Sequence, residues 1–280
     1  MQPTSDQTGT LRVALFQGPA VAGDVATNVA AIKAAAQRAA GQGAAVLVTP
    51  EMSATGYNIG ALSGQRAEPP DGPLHTAIAS IAVKHGVAVI YGYPERCPDG
   101  NYNTAVAIGR DGRVLRSHHK VHLYADLDRR LFVRGNDLVS QFELGSLTCG
   151  LAICYDIEFP ELVRAHADAG TEVLFVPTAL MKPFEVVSKA VVATRAYENQ
   201  LFVIYVNRCD IEDELDYCGL SCAVGPDGGD LVRAGAGEEL LLVDIDATVL
   251  TAERSVNTNL ADRRDDLYCV GRQKQSKIPR

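Results

Sequence analysis

Four apolar runs constrain this chain more than anything else in it. Ala44-Ala-Val-Leu-Val48, Gly86-Val-Ala-Val-Ile-Tyr-Gly92, Glu172-Val-Leu-Phe-Val-Pro177 and Leu201-Phe-Val-Ile-Tyr-Val-Asn207 are too short for typical helices and, inside their ends, carry no polar alternation. A strand is apolar at successive residues when both of its faces are covered, the condition of a parallel sheet packed between other layers. Helical patterns lie between the runs. After Asp24, a candidate N-cap, apolar residues recur at Val25, Val29, Ile32, Ala36 and Ala39 until Gly41 and Gly43 stop them. Leu74, Ile78, Ile81 and His85 make one stripe of a second helix, and a long helix is expected over about residues 184–200. Residues 11–17 read as a first strand. Residues 103–109 and 114–117 read as a hairpin across Arg110-Asp-Gly-Arg113, and Gly225-Pro-Asp-Gly-Gly229 as the turn of another, before a strand over 239–244. Strands alternating with helices make the fold class α/β.

No linker, fixed-period repeat or low-complexity tract interrupts the 280 residues, so one domain is expected over 11–262. Residues 1–10 are polar and expected to be disordered, and 263–280 form a tail whose last part, 272–280, is locally basic. The net charge of −8 argues against a nucleic-acid or anionic-membrane partner, since both are met with a basic face. No apolar run approaches the roughly 18 residues of a membrane span, and the N-terminus has neither a basic start nor an apolar segment, which points to the cytoplasm. Seven cysteines at 97, 149, 154, 209, 218, 222 and 269 are odd in number and scattered, so no disulfide framework is expected. Cys218 and Cys222 lack a second Cys or His pair at finger spacing. His118 and His122 flank Lys120, which would oppose a cation, so no metal and no cofactor are expected.

The chemistry starts from Leu147-Thr-Cys-Gly-Leu-Ala-Ile-Cys-Tyr-Asp-Ile-Glu-Phe-Pro-Glu161. Leu147, Leu151 and Ile153 give a buried strand that stops at Cys154. Pro160 suits a first helical position, and Glu161 suits the positive end of the helix dipole. Cys154 therefore falls between a strand end and a helix start, a place expected to favour the nucleophilic thiolate. Equally weighted on these residues alone is a small buried hydrophobe. Cys149 lies five residues earlier, where alternation sends it to the other sheet face, so a disulfide with Cys154 is not expected. Two further polar residues, Glu51 and Lys120, stand at ends of apolar strands. Each alone reads as a strand cap. Together with Cys154 they supply a thiol nucleophile, a carboxylate to carry its proton to a leaving amine, and a cation for an oxyanion: the parts of amide hydrolysis.

At these residues the sequence resembles the nitrilase superfamily of carbon–nitrogen hydrolases, over nearly the whole chain. Thr49-Pro-Glu-Met-Ser-Ala-Thr-Gly-Tyr57 resembles its glutamate motif, His119-Lys-Val-His-Leu-Tyr124 its lysine motif and Cys154-Tyr-Asp-Ile-Glu-Phe-Pro-Glu161 its cysteine motif, in family order. The resemblance implies Glu51 as general base and acid, Lys120 as oxyanion stabiliser, Cys154 as nucleophile and the Tyr155 backbone N–H as second oxyanion donor. It also implies a four-layer αββα sandwich that forms a homodimer through its helices, the C-terminal tail crossing to the partner. Two positions depart from the common pattern: Asp128 stands where a second glutamate is usual, eight residues after the lysine, and Glu158 where arginine is frequent.

Within the family the motifs are most similar to bacterial aliphatic amidases of the 5-aminopentanamidase type, a group in which the aspartate also occurs and whose substrates carry an ammonium at the far end. That similarity implies a small aliphatic primary amide as substrate. Glu158, or a carboxylate among residues 212–216, would face a cationic tail, and Tyr57, Thr178 and Ala179 would line the substrate. The alternatives are a nitrilase using the same residues, an N-carbamoyl amine hydrolase, or a catalytically idle ligand-binding member. The intact trio of Glu51, Lys120 and Cys154 argues against the last.

Overall fold

The computed structural model describes residues 9–268. Its first half runs β1 (Thr10–Gln17), α1 (Val25–Gly41), β2 (Val46–Val48), α2 (Leu62–Arg66), α3 (Pro73–His85), β3 (Ala88–Cys97), β4 (Gly100–Ile108), β5 (Val114–His119) and α4 (Ala125–Arg129). The second half runs β6 (Gln141–Leu144), β7 (Leu147–Leu151), a 3₁₀ turn (Cys154–Glu158), α5 (Pro160–Asp168), β8 (Val173–Pro177), a π turn (Val187–Val191) continuing into α6 (Val192–Asn199), and β9 (Phe202–Val206). The short β10 (Ile211–Glu212) and β11 (Leu215–Asp216) follow, then β12 (Cys222–Val224), β13 (Asp230–Arg233), β14 (Glu239–Asp246) and α7 (Ala247–Val256).

Two six-stranded sheets result, ordered β14-β1-β2-β3-β4-β5 and β13-β12-β9-β8-β7-β6. The apolar runs are parallel in both, β1 with β2 and β3, and β7 with β8 and β9. Their two-residue alternation divides the core into layers. Val13, Leu15, Val46 and Val48 meet Cys149, Leu151, Phe175 and Ile204 between the sheets. The intervening Ala14 and Leu47 face Ile32, Ala36 and Ile78 of α1 and α3, while Leu174 and Val176 face Leu162, Val163, Val192 and Ala196 of α5 and α6. The architecture is the four-layer αββα sandwich. Asp24 caps α1 as expected, its Oδ1 accepting from the Thr27 N–H at 3.0 Å.

Some boundaries differ from the sequence reading. β1 starts at Thr10, paired with Asp246, because an antiparallel neighbour extends the strand into what was expected to be disordered. The helix expected from 184 opens as the π turn Val187–Val191 and becomes regular α-helix only at Val192. Residues 1–8 and 269–280 lie outside the described residues, and with them most of the tail. Among the described residues no helix is long and apolar enough to cross a membrane.

Candidate active site

Ligand sites in parallel sheets form beyond the carboxyl ends of the strands, where loops leave the sheet edge. Glu51 lies three residues past β2, Cys154 three past β7, and Thr178 directly past β8. The two halves are tied there by the Glu51 N–H, which donates to the Thr178 carbonyl at 3.2 Å. β3 comes unusually close to the glutamate turn: a Cβ on Gly92 would lie 2.4 Å from the Met52 nitrogen and 3.2 Å from the Glu51 carbonyl carbon. Glycine is required there by proximity of backbone to backbone.

The lysine and two carboxylates form one buried cluster. Lys120, 0% exposed, donates from Nζ to Glu51 Oε1 at 2.8 Å and to Asp128 Oδ2 at 2.7 Å, and its ammonium lies 5.5 Å from the centre of the Tyr57 ring. Asp128, shorter than the usual glutamate, reaches the lysine because α4 carries it in; it also accepts from the Tyr57 hydroxyl at 2.9 Å and the Tyr124 N–H at 2.8 Å. Asn103 Nδ2 donates to Glu51 Oε1 at 2.7 Å. Glu51 Oε2 is buried without a partner, the only carboxylate oxygen of the cluster so left. Burial raises the Glu51 carboxyl, opposed by the Lys120 charge and reinforced by that of Asp128. Lys120 is held protonated: burial opposes its charge, and the two carboxylates outweigh it.

Cys154 opens the 3₁₀ turn with a left-handed φ of 45°, a conformation that costs energy in a residue with a Cβ and occurs preferentially at functional sites. The turn separates the cysteine from the first turn of α5, so the helix terminus does not favour the thiolate as the sequence reading expected. Burial, then the charge of Glu51, push the Cys154 thiol up; Lys120, the Thr178 hydroxyl and the Ala179 N–H act in the opposite direction. The balance favours the thiol over the thiolate at the resting sulfur. Two devices hold the turn. Asp156, fully buried, accepts from the Ile153 N–H at 3.0 Å, the His122 N–H at 2.9 Å and His118 Nε2 at 3.2 Å; burial would raise its carboxyl, but His118 and His122 hold it well below the usual range. Arg195 of α6 donates from Nε to the Ile157 carbonyl at 3.0 Å and from Nη2 to the Glu158 carbonyl at 2.8 Å.

A cavity of about 190 Å³ opens over the sulfur, walled by Tyr57, Tyr124, Tyr155, Ala179 and Phe184, with Glu158 as its one charged wall residue. Burial raises the Glu158 carboxyl. Thr178 lies under Cys154, its Oγ1 3.0 Å from the Tyr205 hydroxyl oxygen. All nine residues singled out from the sequence thus surround one site. The acidic segment 212–216 does not reach it. Glu212 is 5% exposed and accepts from the Asn58 N–H at 2.6 Å, the Tyr57 N–H at 3.1 Å and the Tyr217 hydroxyl at 2.7 Å, so it fixes the Tyr57 loop. Asp213 and Glu214 face solvent, and Asp216 pairs with Lys182. Asn103, Asp156 and Arg195 were missed; each stands among other polar residues in the sequence, so nothing local marked it.

The family model described as carbon-nitrogen hydrolase matches residues 12–254. A "Hydrolase in pqqF 5′ region" from Pseudomonas protegens is 43% identical, covering 92% of this chain and 91% of that protein. An (R)-stereoselective amidase from Pseudomonas sp is 35% identical over 91% and 92%. Among solved structures, a double mutant of the amidase from Nesterenkonia sp. AN1 in complex with acrylamide superposes with a TM-score of 0.85 at 32% identity, covering 93% of this chain and 97% of that one. A single mutant of the same amidase, with the acetamide moiety of fluoroacetamide added covalently at its active site cysteine, gives 0.85 at 32% over 95% and 98%.

Proposed function

The chain belongs to the carbon–nitrogen hydrolase family and is an amidase-type hydrolase of non-peptide carbon–nitrogen bonds; from that premise we propose that it hydrolyses a small aliphatic ω-amino amide through a Cys154 thioester. The observation that carries the reading is the unpartnered oxygen of Glu51 beside a thiol whose proton must leave. Glu51 Oε2 takes that proton as Cys154 Sγ bonds to the amide carbon. The oxyanion is met by Lys120 Nζ and the Tyr155 N–H, donors that act on charge appearing only in the transition state. Glu51 then gives the proton to the nitrogen, the C–N bond breaks, ammonia leaves and a thioester remains. Water attacks the thioester carbon, gives a proton to Glu51 and expels the sulfur, which recovers its proton as the acid departs. A carboxyl raised by burial suits both directions of this shuttle, because its proton affinity lies nearer working pH.

The ω-amino preference rests on Glu158. A half-buried carboxylate in an otherwise uncharged aromatic wall gains most from a cation, and Tyr124, Tyr155 and Phe184 around it offer ring faces to the same group. The test is ammonia release from 5-aminopentanamide, pentanamide and pentanenitrile, with Cys154→Ala as blank. Amide turnover with the amino-amide favoured is expected, together with loss of that preference in Glu158→Gln. Turnover of the nitrile alone would assign a nitrilase. An unchanged preference in Glu158→Gln would remove the role given to Glu158.

A further inference from the structure

Glu95, Cys97 and His119 bring three different metal-ligating groups together on the rim of the first sheet, away from the amide cavity. Glu95 and Cys97 are two apart on β3, so strand alternation sets them on one face, and His119 reaches them from the end of β5, across β4. Their ligand atoms all lie within 4.8 Å of one another. Glu95 Oε1 is 3.3 Å from Cys97 Sγ and 3.2 Å from His119 Nε2. Around a tetrahedral zinc ion, bonds of about 2.0 Å to oxygen and nitrogen and about 2.3 Å to sulfur give edges of roughly 3.3 Å between O and N and 3.5 Å between O and S. The hydrogen bonds to Glu95 therefore hold its oxygen near the spacing a metal needs from both the sulfur and the nitrogen.

We propose that Glu95, Cys97 and His119 form a binding site for a borderline-soft divalent cation, zinc matching the donors best. One carboxylate, one thiolate and one neutral imidazole balance the charge of the ion, and the mixture of O, S and N donors discriminates against magnesium and calcium, which take oxygen. On binding, the Cys97 thiol releases its proton to solvent and ligates as thiolate, and the Glu95 oxygen exchanges its two hydrogen bonds for the metal. Three protein ligands leave a fourth position open. A cavity of about 410 Å³ lined by Glu95, Tyr102 and His119 adjoins it and has room for a water ligand. The surroundings already orient two donors: the buried Tyr93 hydroxyl donates to Glu95 Oε2 at 3.0 Å, and the Tyr102 ring stacks on His119 with centroids 4.0 Å apart. The histidines on either side, His118 and His122, take no part, since both are turned to Asp156.

The test uses the full chain carrying Cys154→Ala, so that the nucleophile cannot bind the probe. After equilibration with Zn²⁺ and desalting, one zinc per chain is expected, falling below a tenth in Cys97→Ala and in His119→Ala. Cys97 is partly exposed at a strand end, so its truncation to alanine is expected to leave the fold intact. Co²⁺ in place of Zn²⁺ should give a near-ultraviolet thiolate charge-transfer band that Cys97→Ala abolishes, and Zn²⁺ should protect Cys97 from alkylation. No retained zinc, the same stoichiometry in Cys97→Ala, or zinc lost instead on replacing Cys218 and Cys222 would each overturn the assignment.

Discussion

Lys120 touches two carboxyl groups, so the buried trio it forms with Glu51 and Asp128 has one cation for two acidic side chains. Glu51 is also coupled to the sulfur, because its charge pushes the Cys154 thiol up. In the proposed mechanism, the charge of an ionised Glu51 opposes a second anion at Cys154; once Glu51 accepts the thiol proton, the opposition disappears and Lys120 meets the nascent oxyanion. Replacing Lys120 by alanine removes the counter-charge and strands two carboxylates. We expect Lys120→Ala to lower kcat/KM by about 10²–10³, the loss of one oxyanion donor. Stability should also fall by about 3–5 kcal/mol, the effect of breaking a buried ion pair from one side. Steady-state kinetics and urea unfolding separate the two losses; a rate drop of only a few-fold with the full stability loss would make Lys120 a structural lysine.

At the scale of elements, Glu51, the proposed base and acid, is aimed by the strand beside it. Gly92 of β3 leaves no space for a Cβ against the Met52 nitrogen, and the Ala54 N–H donates to the Gly92 carbonyl at 3.1 Å. Gly92→Ala must therefore displace the glutamate turn or the strand. Misplacement by about 1 Å can cost about 10²-fold in rate. Kinetics on Gly92→Ala should show that order of loss with an unchanged circular dichroism spectrum; full activity would mean that the turn yields without consequence.

This element also shows what the sequence could and could not reveal. Strands buried on both faces are apolar throughout, so the runs ending at Val48, Gly92, Pro177 and Asn207 were legible, and Glu51 past the first of them, with Lys120 and Cys154 past two other strands, marked the proposed catalytic trio. Gly92 reads as an ordinary strand end, because closeness to Met52 is a tertiary fact. Asn103 sits 52 positions from the carboxylate it serves, with no local signature. Glu212 belongs to an acidic run that looked solvated or substrate-facing, yet it captures two backbone N–H groups. The thiolate expectation failed because burial and the charge of Glu51, both products of the tertiary fold, push the Cys154 thiol up.

For the whole molecule, acid sensitivity follows from one histidine. His166 is buried between α5 and β7, packed so closely on Gly150 that a Cβ there would lie 2.6 Å from its Nδ1, and burial lowers its pKa to about 4. The unfolded chain binds that proton from about pH 6.5 downward, whereas the native chain takes it up only near pH 4. Below about pH 6.5 the unfolded state therefore holds more protons, and stability falls as pH falls, by about 3 kcal/mol in all down to pH 4. Urea unfolding at pH 7, 5.5 and 4.5 checks this; equal stability at all three would exclude His166 as the cause. The placement of the four key side chains has a further consequence. Glu51 and Lys120 issue from one sheet, Cys154 and Thr178 from the other. The proposed turnover is thus a logical conjunction, an AND gate whose two inputs are the two sheets of the sandwich, and because the first sheet is completed only by β14, after every strand of the second, both inputs are present only once residue 246 has been made.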